Sequence, residues 1–145
     1  MAPITVRVRN MGRLQGKVKG LHPKIRVAVV QALRGLAGPI ERDIQQSIRS
    51  GSRSGRIVTR YRPQRVVQAS APGEVPADDL GRLANSIEVE ADPVQINLTM
   101  SAGAAGLELE HGTHRMLPRP FLRPALFRWR DRIINAIQSA IKGAL

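Results

Sequence analysis

The sequence predicts an α+β fold, in which a small antiparallel sheet of three or four strands packs against a long, kinked N-terminal helix and a C-terminal helix. Two observations lead to this prediction. Apolar residues recur every three or four positions over residues 23–48 and again over 120–142, as in amphipathic helices. Between them, residues 87–110 alternate apolar and polar side chains, as half-buried strands do. The 145 residues suit a single domain, 1–145.

The N-terminal part of the chain predicts one strand and one long helix. Ile4, Val6 and Val8 alternate with polar residues, which indicates a short strand. Pro23 suits the first turn of the helix that follows, and Gly38-Pro39 is expected to kink or split that helix. The predicted apolar face consists of Ile25, Val29, Leu33, Leu36, Ile40, Ile44 and Ile48.

A mobile basic loop is predicted next, over about residues 49–77. Its first part, 49–65, holds six arginines among glycines and serines, without an acidic residue and without apolar periodicity. Pro72-Gly73 and Pro76 extend the loop, because proline limits regular structure. Asp78 or Asp79 is then expected to cap a short helical turn through Leu80 and Leu83.

Three strands and a helix are predicted for the rest. The alternating segments are 87–90, 94–101 and 107–110, with turns expected at Asp92-Pro93 and over 102–106. The final helix begins near Pro120 and runs towards Lys142. Its predicted apolar stripe comprises Leu122, Leu126, Ile133, Ile137 and Ile141, with Trp129 and Ile134 beside them.

The charge is strong and unevenly placed. The chain carries a formal net charge of +12. Residues 1–73 hold 15 basic and 2 acidic side chains, residues 74–110 hold 1 and 8, and residues 111–145 hold 7 and 1. Either these segments neutralise one another within a monomer, or they form opposite surfaces that meet between copies. The net charge also favours an anionic partner, such as nucleic acid or an acidic protein surface.

Enzymatic chemistry has little support. There is no cysteine, so disulfides and thiolate chemistry are excluded. His111 and His114, with Glu108 and Glu110, do not have the spacing of a metal-ligand set, and we expect no metal, cofactor or catalytic residue.

No apolar run is long enough for a signal peptide or membrane span, so we expect a soluble protein made in the cytoplasm, without a membrane partner.

Two segments are candidates for contact with partners. The basic loop could contact DNA phosphates or an acidic partner, or be solvated surface; the candidate residues are Arg53, Arg56, Arg60, Arg62 and Arg65. In residues 110–126, Phe121 follows a rigid, proline-flanked corner, where it could be a core plug or an anchor on a partner. The candidate interface residues there are Glu110, Gly112, Thr113, Arg119, Pro120, Phe121 and Pro124.

Two stretches, "ASAPGEVPADDLGRLANSI" at 69–87 and "LELEHGTHRMLPRPFLRPAL" at 107–126, resemble the neck or tail-completion proteins of long-tailed bacteriophages. The shared pattern is a Ser-Ala-Pro-Gly-Glu-x-Pro loop, a Gly-x-Leu-x-x-Ser-Ile turn into a strand, a Glu-x-Gly-Thr corner and an Arg-Pro-Phe-Leu-x-Pro-Ala helix start. These fall on 70–76, 81–87, 110–113 and 119–125. The chain departs from the pattern at 106–109, where the family commonly has an aromatic-Ala pair.

The resemblance implies a structural virion protein without catalysis, assembled in the bacterial cytoplasm and placed in the neck that joins the DNA-filled head to the tail. Its implied partners are other copies of itself in a ring, the adjoining neck and tail proteins, and packaged double-stranded DNA through non-specific contacts. A tail-terminator position in the same region is an alternative. From the residues alone, the competing prediction is a small basic nucleic-acid-binding protein.

Overall fold

A computed structural model describes residues 20, 22–94 and 96–145, and it confirms the α+β class. The elements in chain order are α1 (Pro23–Ser50), β1 (Ile57–Tyr61), β2 (Gln64–Gln68), α2 (Arg82–Asn85), β3 (Glu88–Asp92), β4 (Asn97–Ser101), α3 (Ala104–His111) and α4 (Leu122–Ala144). The strand predicted at residues 4–8 lies outside the described residues.

Helix α1 supplies the longest side of the core. Its buried residues are Ile25, Val29, Val30, Leu33, Ala37, Ile40, Ile44 and Ile48, close to the predicted face. The helix is not split at Pro39 but continues through it for another three turns. Proline has no N–H for the carbonyl four residues earlier, at Gly35. Gly35 is exposed, so water can bond to that carbonyl.

Helix α4 packs along α1, and a polar clamp fixes the two helices beside the apolar contact. Asp43 of α1 accepts hydrogen bonds from Arg128 Nη2 at 2.8 Å and from Trp129 Nε1 at 2.9 Å. The Arg132 guanidinium lies 4.8 Å from the centre of the Trp129 ring. Leu122, Ala125, Ile133 and Ile137 form the buried face of α4.

The β3–β4 hairpin covers another side of α1. Val89 lies opposite Met100 and Ala91 opposite Leu98, and these pairs face the core. Helix α1 also bonds to the backbone of this hairpin: Glu41 accepts from Val89 N at 3.1 Å, and Arg26 donates to the Val94 carbonyl at 2.9 Å. The outer face carries Glu88, Glu90, Asp92, Asn97, Thr99 and Ser101.

The predicted single sheet is wrong in its strand count. The described strands form two separate two-stranded sheets, β1–β2 and β3–β4, and residues 107–110 lie in α3 instead of a third strand of a meander. Within α3 the buried residues are Gly106 and Glu110, with Leu109 half-buried, which is helical spacing. Leucine, alanine and glutamate are good helix formers, and that preference outweighs the short period-two alternation.

Two further predictions, one for the basic loop and one for the helical turn that follows it, are corrected. Residues 57–68 of the supposed basic loop form the β1–β2 hairpin, because Ile57, Val58 and Thr59 pair with Gln68, Val67 and Val66. The short helical turn begins only at Arg82, and Gly81, with φ of 75°, is its N-cap in place of Asp78 or Asp79.

The helix clamp generates a pH-dependent prediction. Burial alone would raise the pKa of the Asp43 carboxyl, but the hydrogen bonds from Arg128 and Trp129 and the charge of Arg128 and Arg132 lower it below its ordinary 3.8. A lowered folded-state pKa stabilises the fold above the ordinary pKa, and this contribution is lost as the pH falls through the folded value.

We therefore expect Asp43→Asn to lower the free energy of unfolding by on the order of 1 kcal/mol at neutral pH, since the clamp is partly solvent-screened. The difference from wild type should shrink in acid. Urea denaturation at several pH values measures both effects. Asp131→Asn, at an exposed acid of α4, is the matched control. A deficit for Asp43→Asn that stays constant into acid would contradict this account.

Candidate functional site

The start of α4 is held by one carboxylate from the preceding helix. Glu110 Oε2 accepts from the backbone N–H groups of Phe121 at 2.8 Å and Leu122 at 3.0 Å, and Oε1 accepts from Arg123 N at 3.1 Å. The next residue, Pro124, has no N–H to satisfy. The donors that a helix leaves unpaired at its N-terminus are thus all accounted for. The negative charge also lies where the helix dipole stabilises it.

A tight turn brings Glu110 to that position. Gly112 ends α3 with φ of 75°, and a Cβ there would lie 2.8 Å from the Met116 carbonyl oxygen, so only glycine fits without a shift. Thr113 N donates to Met116 O at 2.8 Å, and Arg119 N donates to Leu109 O at 2.7 Å. The chain therefore turns back over the end of α3 before α4 begins. The chain thus leaves a helix at Gly112, and not the strand predicted for residues 107–110.

The 70–76 loop is closed by its own polar side chains. Glu74 accepts from Ala71 N at 2.8 Å and from the hydroxyl of Ser54. These bonds, from Ser54 first and then from Ala71, hold the pKa of the Glu74 carboxyl below its ordinary value. The buried Ser70 hydroxyl accepts from Ala77 N at 3.3 Å. The segment predicted as part of a mobile loop is thus a compact, internally bonded turn.

The two segments meet and form a single unit, which we call the joined corner (residues 70–76 and 110–124). Gly73 N donates to Pro118 O at 3.0 Å, and Arg119 Nε donates to Ser70 O at 3.2 Å. Gly73 has φ of 82°, which favours glycine at that point. These contacts join segments that are 45 or more residues apart in the chain.

The joined corner buries some predicted interface residues and exposes others. Glu110 and Phe121 are each 3% exposed, which favours the core-plug alternative for Phe121. Gly112, Arg119, Pro120 and Pro124 are partly buried, and Thr113 is exposed.

The outward tip of the corner was not singled out from the sequence. It consists of His114, Arg115 and Leu117, and the Leu117 side chain is 66% exposed. Leu117 stands directly before Pro118 and belongs to neither amphipathic helix. An apolar residue in such a position was the signal available in the sequence.

The five candidate arginines lie around the β1–β2 hairpin, and the structure divides them into two groups. Arg53 Nη2 donates to the Asp78 carbonyl at 2.7 Å, and Arg65 Nε donates to Asp79 Oδ1 at 2.8 Å. The hydrogen bond from Arg65 lowers the pKa of the Asp79 carboxyl. Arg56, Arg60 and Arg62 are exposed and have no side-chain hydrogen bond or ion pair to the described part of the chain.

The described residues contain neither a metal-binding cluster nor a helix able to span a membrane. Residues 20, 22–94 and 96–145 contain no cluster of three or more acidic, histidine or cysteine side chains able to hold a metal ion. No helix in that part of the chain has both the length and the apolar content needed to cross a bilayer. Comparisons with protein-family models, curated proteins and solved structures found no match.

The cap at α4 yields a stability prediction. Glu110→Ala should lower the free energy of unfolding by about 2–4 kcal/mol, because three backbone N–H groups lose a charged acceptor in a buried place. Glu108→Ala, at an exposed residue of the same helix, should change it by less than about 0.5 kcal/mol. Chemical denaturation followed by circular dichroism compares the two variants. Equal losses would show that the cap does not stabilise α4.

Proposed function

We propose that this protein is a structural component of the neck of a long-tailed phage or prophage, where a ring of copies helps to join the DNA-filled head to the tail. The proposal requires no catalytic group. Its basis is the resemblance of residues 69–87 and 107–126 to neck and tail-completion proteins, considered together with where these residues lie in the fold.

The observation that carries the proposal is that the two resembling stretches, separate in sequence, pack as the joined corner. The motif residues have specific structural tasks there: Gly73 and Gly112 take positive φ, and Glu74 and Glu110 each accept several hydrogen bonds. Three of the four motifs, at 70–76, 110–113 and 119–125, meet in this one unit, which is better explained by a shared architecture than by chance agreement of unrelated short pieces. This supports assignment to the resembled family.

The outward tip of the corner is the surface we assign to an adjoining neck or tail protein. Its residues, His114, Arg115 and Leu117, project from a turn that Gly112 and Pro118 hold rigidly. A rigid exposed apolar residue beside an arginine is a favourable interface centre, because little conformational entropy is lost when it is buried.

A basic nucleic-acid-binding protein is the second candidate, and the exposed Arg56, Arg60 and Arg62 favour it. Such binding would weaken steeply as the salt concentration rises, because each phosphate contact releases counterions. A two-stranded ribbon also fits the major groove of DNA.

Deletion of the gene from the phage or prophage that encodes it tests the proposal directly. We expect electron micrographs of the lysate to show full heads beside separate tails of normal length, because the joining step alone fails. Overlong tails would instead indicate a tail terminator. Intact particles would reject the neck role and favour the nucleic-acid alternative.

Leu117→Asp, supplied in trans to the deletion, tests the tip. We expect a protein whose free energy of unfolding is within about 0.5 kcal/mol of wild type but which restores few or no infectious particles. Val27→Asp also places an aspartate at an exposed apolar residue, here on α1, and should restore particles. Titre and denaturation midpoint are measured for both. Full restoration of infectious particles by Leu117→Asp would show that the tip is not part of the interface.

A further inference from the structure

The β1–β2 hairpin presents one face entirely to solvent. Its register places the pairs Ile57–Gln68, Thr59–Val66 and Tyr61–Gln64 on this outer face. All six residues are exposed, and Ile57, Tyr61 and Val66 are 68%, 75% and 68% exposed. An apolar patch with a polar rim on a protein surface commonly marks an interaction site.

The hairpin cannot turn this face inward, because its opposite face is fixed to the body of the protein. Val58 and Val67, paired on that inner face, are half-buried. At the base, Gly55 N donates to Ala69 O at 2.8 Å, and a Cβ on Gly55 would lie 2.5 Å from the Ser70 carbonyl oxygen. The Arg65–Asp79 ion pair holds the far part of the hairpin.

Two strands alone bury little surface, so such a hairpin is stabilised by whatever packs on it. Within the described residues its sheet has no third strand. Arg56 directly precedes β1 and Arg62 directly follows it, both are exposed, and residues 49–73 contain no acidic side chain. The surface that complements this face must therefore be acidic, with an apolar part at its centre.

The same chain carries a surface of that kind, which we call the acidic face (Glu88, Glu90, Ala104, Leu107 and Glu108). Glu88 and Glu90 point outwards from β3, and Glu88 lies opposite Ser101 at the end of β4. Gly103 N donates to Ser86 Oγ at 3.1 Å, so α3 starts beside the beginning of β3.

Helical spacing puts the α3 members of the acidic face on one side of that helix. Leu107 and Glu108 follow Ala104 by three and four positions, and all three are exposed. The acidic face thus combines an alanine and a leucine with three carboxylates, the complement of an apolar hairpin face whose strand β1 is flanked by arginines.

We propose that the outer face of the hairpin in one copy docks on the acidic face of the next copy. Two different surfaces of the same chain meet, so the contact is head-to-tail and extends into a ring or a filament. The inference deepens the proposed function. It rests on that function for one point, namely that the head-to-tail contacts close into a ring. DNA is the less suitable occupant, because Ile57 and Val66 offer nothing to a phosphate backbone.

The chain has no cysteine, so cysteine crosslinking can map the contact. We introduce Thr59→Cys on the outer face and Ala104→Cys on the acidic face, and treat the purified protein with a short bismaleimide. The double variant should form a ladder of dimers, trimers and larger species. A mixture of the two single variants should stop at dimers, because each copy then carries one reactive site.

Three outcomes would overturn the inference. The absence of a ladder from the double variant would mean that these faces do not meet. Dimers from Thr59→Cys alone would reveal a symmetric hairpin–hairpin contact. An equal ladder from Thr59→Cys with Arg34→Cys, an exposed site on α1, would show collision without specificity.

Charge reversal provides the second test. Arg56→Glu with Arg62→Glu should abolish the ladder of the double-cysteine variant, and adding Glu88→Arg with Glu90→Arg to the same chain should restore it. If the arginine changes leave the ladder intact and only weaken binding to mixed-sequence DNA, the hairpin is a DNA contact and the inference fails.

These results are independent of the deletion phenotype. If heads and tails fail to join in the deletion lysate but the double-cysteine variant forms no ladder, the interface is rejected and the neck role is kept. A ladder together with intact particles in the deletion lysate supports the interface and rejects the neck role.

Discussion

The structure depends on the contact between the Glu110 carboxylate and the first turn of α4. A buried carboxylate is unfavourable unless charge and hydrogen bonds compensate it, and here three N–H groups and the positive helix end do so. Because Glu110 belongs to α3, the bond fixes the position of α4 relative to α3. It also requires the intervening chain to turn sharply at Gly112, and this turn brings Pro118 and Arg119 to the 70–76 loop.

The two long helices could be predicted from the sequence because their apolar residues repeat over six or more turns, and a period sampled that often is unambiguous. The shorter elements could not be predicted correctly. Leu107 and Leu109 alternate over four residues, too few to separate a strand from a helix whose inward side chain is the charged Glu110. The hairpin at 57–68 was hidden by its arginines, although β-branched Ile57, Val58 and Val66 were present. The Glu110 cap was inaccessible from sequence, since nothing local indicates which carboxylate reaches a helix start eleven residues later.

The residues that resemble a known family and the residues available to partners are largely different. Gly73, Glu74, Glu110 and Phe121 determine the shape of the joined corner through their backbone conformation, hydrogen bonds and packing, and Glu110 and Phe121 are buried. Leu117 is exposed at the tip of this corner, and Arg56 and Tyr61 are exposed on the β1–β2 hairpin. A family pattern of this kind therefore reports architecture, while the choice of partner is made by surface residues that the pattern does not include.

The Asp43 clamp has a consequence for the order in which the chain folds. Asp43 and Arg128 are 85 residues apart, and Trp129 is 86 residues from Asp43. During synthesis, α1 therefore emerges long before α4, and the apolar side of α1 that α4 covers remains in contact with water or chaperones until α4 has been translated. Contacts of such long range form slowly and leave nascent chains prone to association. A chain truncated before α4 would keep this apolar side exposed and would be a substrate for aggregation and proteolysis.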